Sequence, residues 1–286
     1  MRLATTIREV QEWRHARSGS VGLVPTMGYL HAGHLSLLER ARRENERVAA
    51  SIFVNPLQFA PGEDLARYPR DIERDRALLT GAGCDLVFTP SVEEMYPPGH
   101  STAVDVGPVA APLEGERRSG HFRAVATVVL KLLGIFEPTR AYFGQKDAQQ
   151  LAVIRALVRD LDVTVDVVGC PTVREPDGLA LSSRNSYLGP EQRAAAPTLY
   201  RALQAARAVW SGGEREAKAL RGAMRRVLEA EPLARTDYVS VADPVTFREL
   251  ETLDGPALLS LAVFLGRARL IDNLLLDPAQ ESAGSK

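Results

Sequence analysis

Short apolar runs alternate with amphipathic stretches along the first two thirds of the chain. Residues 21–25 (VGLVP) form a buried-strand run after a Ser-Gly-Ser turn. A loop punctuated by Gly28 and Gly33 follows, and residues 35–42 then read as an amphipathic helix. Residues 48–54 (VAASIFV) are a second strand, stopped by Asn55-Pro56. The pattern continues with a helix over 71–80, a strand over 86–88, a long apolar helix over 124–136 and a strand over 140–143. Residues 148–161 carry Leu151, Ile154, Ala156, Leu157 and Leu161 on one helical face, and 164–168 (TVDVV) is a further strand. Strands alternating with helices over short connections predict an α/β fold, a Rossmann-like doubly wound parallel sheet.

Near residues 186–192 the pattern changes. Two Ala/Arg-rich helices, 191–209 and 215–230, precede three strands at 238–242, 257–264 and 268–276. This predicts a second, smaller α+β domain. The expected division is a nucleotide- and substrate-binding domain over 1–185 and a lid-like domain over 186–286. No internal repeat is evident, and the polar tail 280–286 is expected to fray.

Composition narrows the class. With 286 residues, 45% hydrophobic and 25% charged, the chain has the make-up of a globular protein, which argues against a disordered or low-complexity one. The 35 basic and 36 acidic residues leave a net charge of −1, so no basic surplus points to nucleic acid. Only four of the basic residues are lysines, so an amine beside a candidate site is informative. Cys84 and Cys170 lie far apart, without CxxC or zinc spacing, and read as reduced buried thiols. Residues 1–11 carry no apolar signal region, and no run of 18 apolar residues occurs; the expectation is a cytoplasmic protein without a membrane segment.

Three stretches carry candidate chemistry. Residues Pro25, Thr26, Met27, Gly28, Tyr29, Leu30, His31, Ala32, Gly33 and His34 join the first strand to the first helix, where open parallel sheets bind ligands. The helix start offers free N–H groups and a positive dipole end to a phosphate, and a histidinium there would donate hydrogen bonds to its oxygens. Taken alone, the pair is compatible with two surface histidines; a zincin site needs HExxH and a third ligand, and no acidic residue lies between these two. Gly144, Gln145, Lys146 and Asp147 form a second strand-to-helix turn, with Asp147 a candidate helix N-cap and Gln149 and Gln150 in the first turn. Leu181, Ser182, Ser183, Arg184 and Asn185 group two hydroxyls, an amide and a guanidinium near the expected domain boundary; as a pattern they suit a triphosphate or an ordinary helix-capping loop.

Together these stretches resemble the HxGH nucleotidylyltransferase superfamily, and within it the pantothenate synthetase (pantoate–β-alanine ligase) family. The resemblance runs in order through residues 25–34, 53–59 (FVNPLQF), 68–70 (YPR), 113–115 (LEG), 120–122 (GHF), 143–150 and 177–185. It implies that ATP and pantoate form an enzyme-bound pantoyl adenylate and pyrophosphate, and that the amine of β-alanine then displaces AMP to give pantothenate. It further implies an ATP loop from Met27 to His34, with His34 as catalytic histidine and His31 beside it. Gly144, Gln145, Lys146 and Asp147 would bind ATP, with Lys146 at the phosphates. Val173 would touch adenine, and Leu181, Ser182, Ser183 and Arg184 would close over the triphosphate. Gln58 and Gln150 would hold pantoate, with Pro25 and Asn55 also on the substrate side. Magnesium, without a protein ligand assigned to it, and a homodimer are implied as well. The chain departs from the family at Ser119 and Ala124, in a block (114–125) read as a candidate flap, and at Arg74, which leaves only Asp75 of an acidic pair. Two other readings fit the same residues: an adenylyltransferase that moves AMP onto a phosphorylated acceptor, and a nucleotide-binding protein without catalysis.

Overall fold

In a computed structural model describing residues 1–16, 18–60 and 62–281 (backbone only at 280 and 281), the chain divides into two units, Met1–Val173 and Arg174–Lys286. The first unit is built on β1 (Arg2–Ala4), β2 (Val21–Thr26), β3 (Arg47–Ile52), β4 (Leu86–Phe88), β5 (Arg140–Gly144) and β6 (Asp166–Cys170). All neighbours pair parallel, in the order β1-β4-β3-β2-β5-β6. Chain order therefore runs outward one way through β2, β3 and β4 and the other way through β5 and β6. The reversal falls between β2 and β5, which pair at Gly22 with Arg140 and Leu23 with Ala141. A crevice opens at such a reversal, beyond the carboxyl ends of the strands.

Helices α1 (Ile7–His15), α2 (Ala32–Glu44), α3 (Ile72–Gly81), α4 (Val92–Met95), α5 (Glu114–Arg117), α6 (His121–Phe136) and α7 (Ala148–Asp160) surround this sheet. Side chains alternate across it with the period of two expected of strands. Leu23, Ala49 and Phe88 join one core with Val125, Val129, Leu132 and Phe136 of α6. Their neighbours Val24, Ala50 and Val87 join another with Leu37, Leu38 and Ala41 of α2 and Leu79 of α3. The doubly wound expectation is met. Both thiols are free and buried, and burial raises the Cys84 pKa to about 12.

Several boundaries differ from the expectation for identifiable reasons. β1 and α1 were not anticipated: β1 is three residues long, and α1 buries only Val10, too little for a periodicity to register. Its capping box, Thr6 with Glu9, was the legible signal. α6 begins at His121 and not at 124, because Gly120 adopts a left-handed φ of 76° and starts the helix there. The β6 ladder begins at Asp166, where pairing to Arg140 starts, two residues past the predicted start at 164.

The second unit contains α8 (Pro190–Ala195), α9 (Thr198–Ser211), α10 (Ala217–Glu229), the antiparallel sheet β7 (Ala234–Ala242), β8 (Ala257–Leu265) and β9 (Ala268–Leu276), and α11 (Pro278–Glu281). The single helix expected over 191–209 is two helices: Pro197, which has no N–H to donate, separates them. Leu199, Leu203, Trp210, Leu220, Met224 and Leu228 pack with Val241, Leu259, Leu261 and Val263. The two units divide after Val173, whereas the sequence pattern changes near 186. Arg174 forms a two-pronged ion pair with the buried Asp272 at 2.6 and 2.9 Å, bridges to Ala180, and is followed by Leu179 in this second core. Of the tail expected to fray, 282–286 lie outside the described residues.

Candidate active site

The turn leaving β2 is fixed by three polar anchors. The Thr26 hydroxyl donates to Ser51 O at 2.7 Å and accepts the Gly28 N–H at 3.1 Å. Gly28 and Tyr29 are both left-handed, at φ 85° and 50°. A Cβ on Gly28 would lie 2.9 Å from Ile52 Cγ2 and 3.1 Å from Asp75 Oδ2, so the position has no room for a side chain. Tyr29 accepts a conformation that costs an L-residue about 1–2 kcal/mol. Asp75, 1% exposed on α3, offsets that cost: its two oxygens accept the Tyr29 and Leu30 N–H groups, each at 2.7 Å. Arg74 donates to Leu30 O at 2.9 Å, and its guanidinium lies over the Tyr29 ring. Leu30, fully buried, plugs the loop into the core.

This anchoring delivers His31 as the N-cap of α2. Its Nδ1 accepts the Gly33 N–H at 3.2 Å, while the His31 N–H reaches Nδ1 of His34 at 3.3 Å. Two imidazoles thus form a reciprocal capping box, with ring centroids 4.1 Å apart. Burial lowers the His31 pKa to about 4, with the Lys146 ammonium and Arg74 adding to the fall against Asp147. Burial, then His31, then Lys146 lower that of His34 to about 3. Both rings are therefore neutral near pH 7, which corrects the expected histidinium. Each Nδ1 is an acceptor, so each ring's proton lies on Nε2 and is available to an oxygen.

The turn after β5 is a single 3-10 turn, Gln145–Asp147, leading into α7. Lys146 Nζ is 3.7 Å from Asp147 Oδ1, and the ammonium lies within electrostatic range of the imidazole pair, helping to lower both histidine pKa values. Asp147 occupies the N-cap position without a side-chain capping bond, so its expected capping role is not found. Gln149 turns inward: buried, it donates to Val109 O and Pro112 O and accepts the Glu114 N–H. Those bonds fasten the start of the segment read as a flap. Gln150, the next residue, remains half-buried.

Gln58 ends the short turn Pro56–Gln58 beyond β3. Asn55, 1% exposed, donates to Gln58 Oε1 at 2.9 Å and accepts from Leu57 N–H and the Tyr96 hydroxyl. Asn55 therefore supports Gln58, and Pro25 lies within β2, paired with Ser51. On the main-chain side, His121 and Arg118 both meet Gln58 O, and Arg118 forks onto Glu63. Burial, then Arg118, lowers the His121 pKa to about 4. Val173 closes the first unit. Leu181, Ser182, Ser183 and Arg184 belong to the second, where Ser182 caps the turn Ser183–Tyr187 through the Arg184 N–H and Ser183 is buried.

Residues 2–275 match the family model described as pantoate-beta-alanine ligase. The chain belongs to that family. A pantothenate synthetase of Roseiflexus sp. (strain RS-1) is 62% identical over 277 residues, covering 97% of this chain and all of the relative. One from Moorella thermoacetica is 55% identical, covering 97% and 99%. Among solved structures, a pantothenate synthetase of Thermus thermophilus superposes with a TM-score of 0.92 at 55% identity, covering 96% of this chain and 99% of that one. A pantoate-beta-alanine ligase of Francisella tularensis, solved with beta-gamma ATP and β-alanine, gives 0.79 at 34% identity, covering 96% and 97%.

As a pantoate–β-alanine ligase family member, the chain is an enzyme of the ATP-dependent ligase class. Among the described residues no group of three or more metal-ligating side chains occurs, and both Asp75 oxygens are committed to backbone N–H groups. These residues do not form a magnesium cage. Sequence reasoning missed two features of this candidate site: the Asp75 clamp, and the grip of Arg118 and His121 on Gln58. Each joins residues tens of positions apart, so neither has a local spacing to find it by. No helix among the described residues is long and apolar enough to cross a membrane.

Proposed function

We propose that this protein condenses pantoate with β-alanine through a pantoyl adenylate. The observation that carries the reading is the pair of neutral imidazoles at the N-terminus of α2, with Lys146 beside them at the sheet's reversal point. ATP places its phosphates at that helix end, where the positive end of the helix dipole favours an anion. A pantoate carboxylate oxygen, held through Gln58 and Gln150, attacks the α-phosphorus in line. The bond to the β,γ-pyrophosphate breaks, and Nε2–H of His34, Nε2–H of His31 and the Lys146 ammonium stabilise the charge as it moves onto the leaving group. The chain supplies position and hydrogen bonds and needs no covalent intermediate on a side chain.

In the second half, the β-alanine amine attacks the acyl carbon of the adenylate. A proton passes from the nitrogen to water, the C–O bond to AMP breaks, and the amide forms. Adenylation is what makes this step feasible, because AMP leaves far more readily than the oxygen of a free carboxylate. Met27, Gly28, Tyr29, Leu30, Ala32 and Gly33 line the ATP loop; Gly144, Gln145 and Asp147 border the nucleotide. The proposal also gives Val173 a contact to adenine. Magnesium would accompany ATP and neutralise charge on the departing pyrophosphate, with no side chain of this protein assigned to hold it. A homodimer in the cytoplasm completes the reading.

Isotope exchange between pyrophosphate and ATP tests it. Exchange that requires pantoate and proceeds without β-alanine is expected. Exchange driven by a phosphorylated acceptor would identify an adenylyltransferase instead, and ATP binding without AMP release would leave only a nucleotide-binding protein.

A further inference from the structure

The Gln58 backbone carbonyl accepts two side-chain donors from beyond the turn that carries it. His121 Nδ1 lies 3.0 Å from Gln58 O, and Arg118 Nη2 lies 3.3 Å from it. A carbonyl only accepts, so Nδ1 of His121 must carry the ring proton and Nε2 must be bare. Arg118 Nη1 points at that bare nitrogen at 3.0 Å. The same guanidinium is held from its other side by Glu63, through Nε at 3.0 Å and Nη2 at 2.9 Å. Each donor in the chain Glu63–Arg118–His121–Gln58 meets an acceptor, and only a neutral His121 with its proton on Nδ1 satisfies both ends.

Gln58 is gripped independently at its side chain. Asn55 donates to Oε1 at 2.9 Å and reaches back to Ala124 O, in the same helix that His121 opens. Main chain and carboxamide are thus referenced to the first turn of α6. With Oε1 held by Asn55, the amide group it presents to a ligand is Nε2–H₂, a donor suited to the oxygens of a hydroxy acid.

We propose that His121, oriented by Arg118 and Glu63, is a positioning residue that sets the Gln58 carboxamide for the hydroxy acid substrate. The inference rests on the assignment of Gln58 to pantoate. His121 touches no reacting atom, so its removal acts on pantoate and leaves the nucleotide alone.

The test compares H121L, H121N and E63Q by the pantoate and ATP dependence of pyrophosphate exchange. Leucine fills the space without donating, and about a tenfold rise in the pantoate KM is expected, the scale of one net hydrogen bond, with the ATP KM within twofold. Asparagine places an N–H close to where Nδ1 stood, so H121N recovers most of that loss. E63Q weakens the fork without altering His121 and raises the pantoate KM by a smaller factor; it also serves if H121L does not fold. A separate readout is the Gln58 side-chain amide resonance in the ligand-free protein, assigned by its disappearance in Q58L. It shifts in H121L and stays in place in H121N. Equal losses for ATP and pantoate, H121N behaving as H121L, or an unmoved Gln58 amide in H121L would each overturn the proposal. If pantoate drives no exchange in the unaltered protein, the functional reading fails and the resonance alone decides the positioning role.

Discussion

Asp75→Asn isolates the clamp on the histidine loop. The substitution keeps shape and one acceptor oxygen, so one of the two 2.7 Å bonds to Tyr29 and Leu30 survives. At the other, an amide NH₂ faces a backbone N–H, donor against donor, at a site 1% exposed. Losing a hydrogen bond to a charged acceptor costs about 1.5–3 kcal/mol. For a unit of this size, a loss of about 2 kcal/mol lowers Tm by roughly 4–8 °C. The activity loss is expected to exceed what stability explains. With the clamp weakened, Tyr29 is freer to leave its left-handed φ of 50°, and His31 and His34 follow two and five residues later. A displacement near 1 Å at a reacting centre costs on the order of a hundredfold. Urea denaturation and pantoate-dependent pyrophosphate exchange at 20 °C, where the variant is fully folded, measure the two effects separately. Asp71→Ala is the control: it removes the side-chain cap of the same helix, bonded to the Arg74 N–H, at about 1 kcal/mol, and leaves the loop bonds intact. A D75N protein that is less stable yet exchanges at the unaltered rate, with an unaltered ATP KM, would refute the clamp's role in catalysis.

Other consequences follow from the same geometry. His34→Ala and Lys146→Ala each lower the adenylation rate by roughly 10²-fold or more. His34→Ala also loses the acceptor of the His31 N–H and lowers the melting temperature more than Lys146→Ala does; single-turnover AMP formation and calorimetry check both. Gln150→Ala weakens pantoate far more than ATP, as read from the two KM values in the exchange assay. Histidine burial also predicts a pH profile of stability. The native pKa values of His31, His34 and His121 fall to about 4, 3 and 4, below the ~6.5 of an unfolded histidine. Between about pH 6 and 4 the unfolded chain binds protons that the native one does not. This part of the stability is present above pH 6.5 and is lost as pH falls toward 4, by up to about 1.4 kcal/mol per pH unit for each histidine. Urea midpoints at pH 7 and 5.5, with histidine NMR titrations, measure it; native titrations near 6.5 would contradict it.

The sequence by itself determined the strand–helix alternation, the two turns that end in histidine and lysine, and the two buried thiols. These are local matters: periodicity, glycine punctuation and apolar runs report on residues a few positions apart. The family's motifs were legible for the same reason, since each is a short block. What only the tertiary structure decided concerns pairs far apart in the chain. Strand order made β2 and β5 neighbours and so brought Lys146 to the imidazoles 112 positions from His34, whose protonation then follows from burial and from that cation. Asp75 reads in sequence as one acid on a helix, and the fold turns it inward onto two backbone N–H groups. Arg174, at the start of the second unit, is committed to Asp272, a partner 98 residues away. Burial and long-range pairing set charge states and backbone strain, and neither has a spacing along the chain from which it can be read.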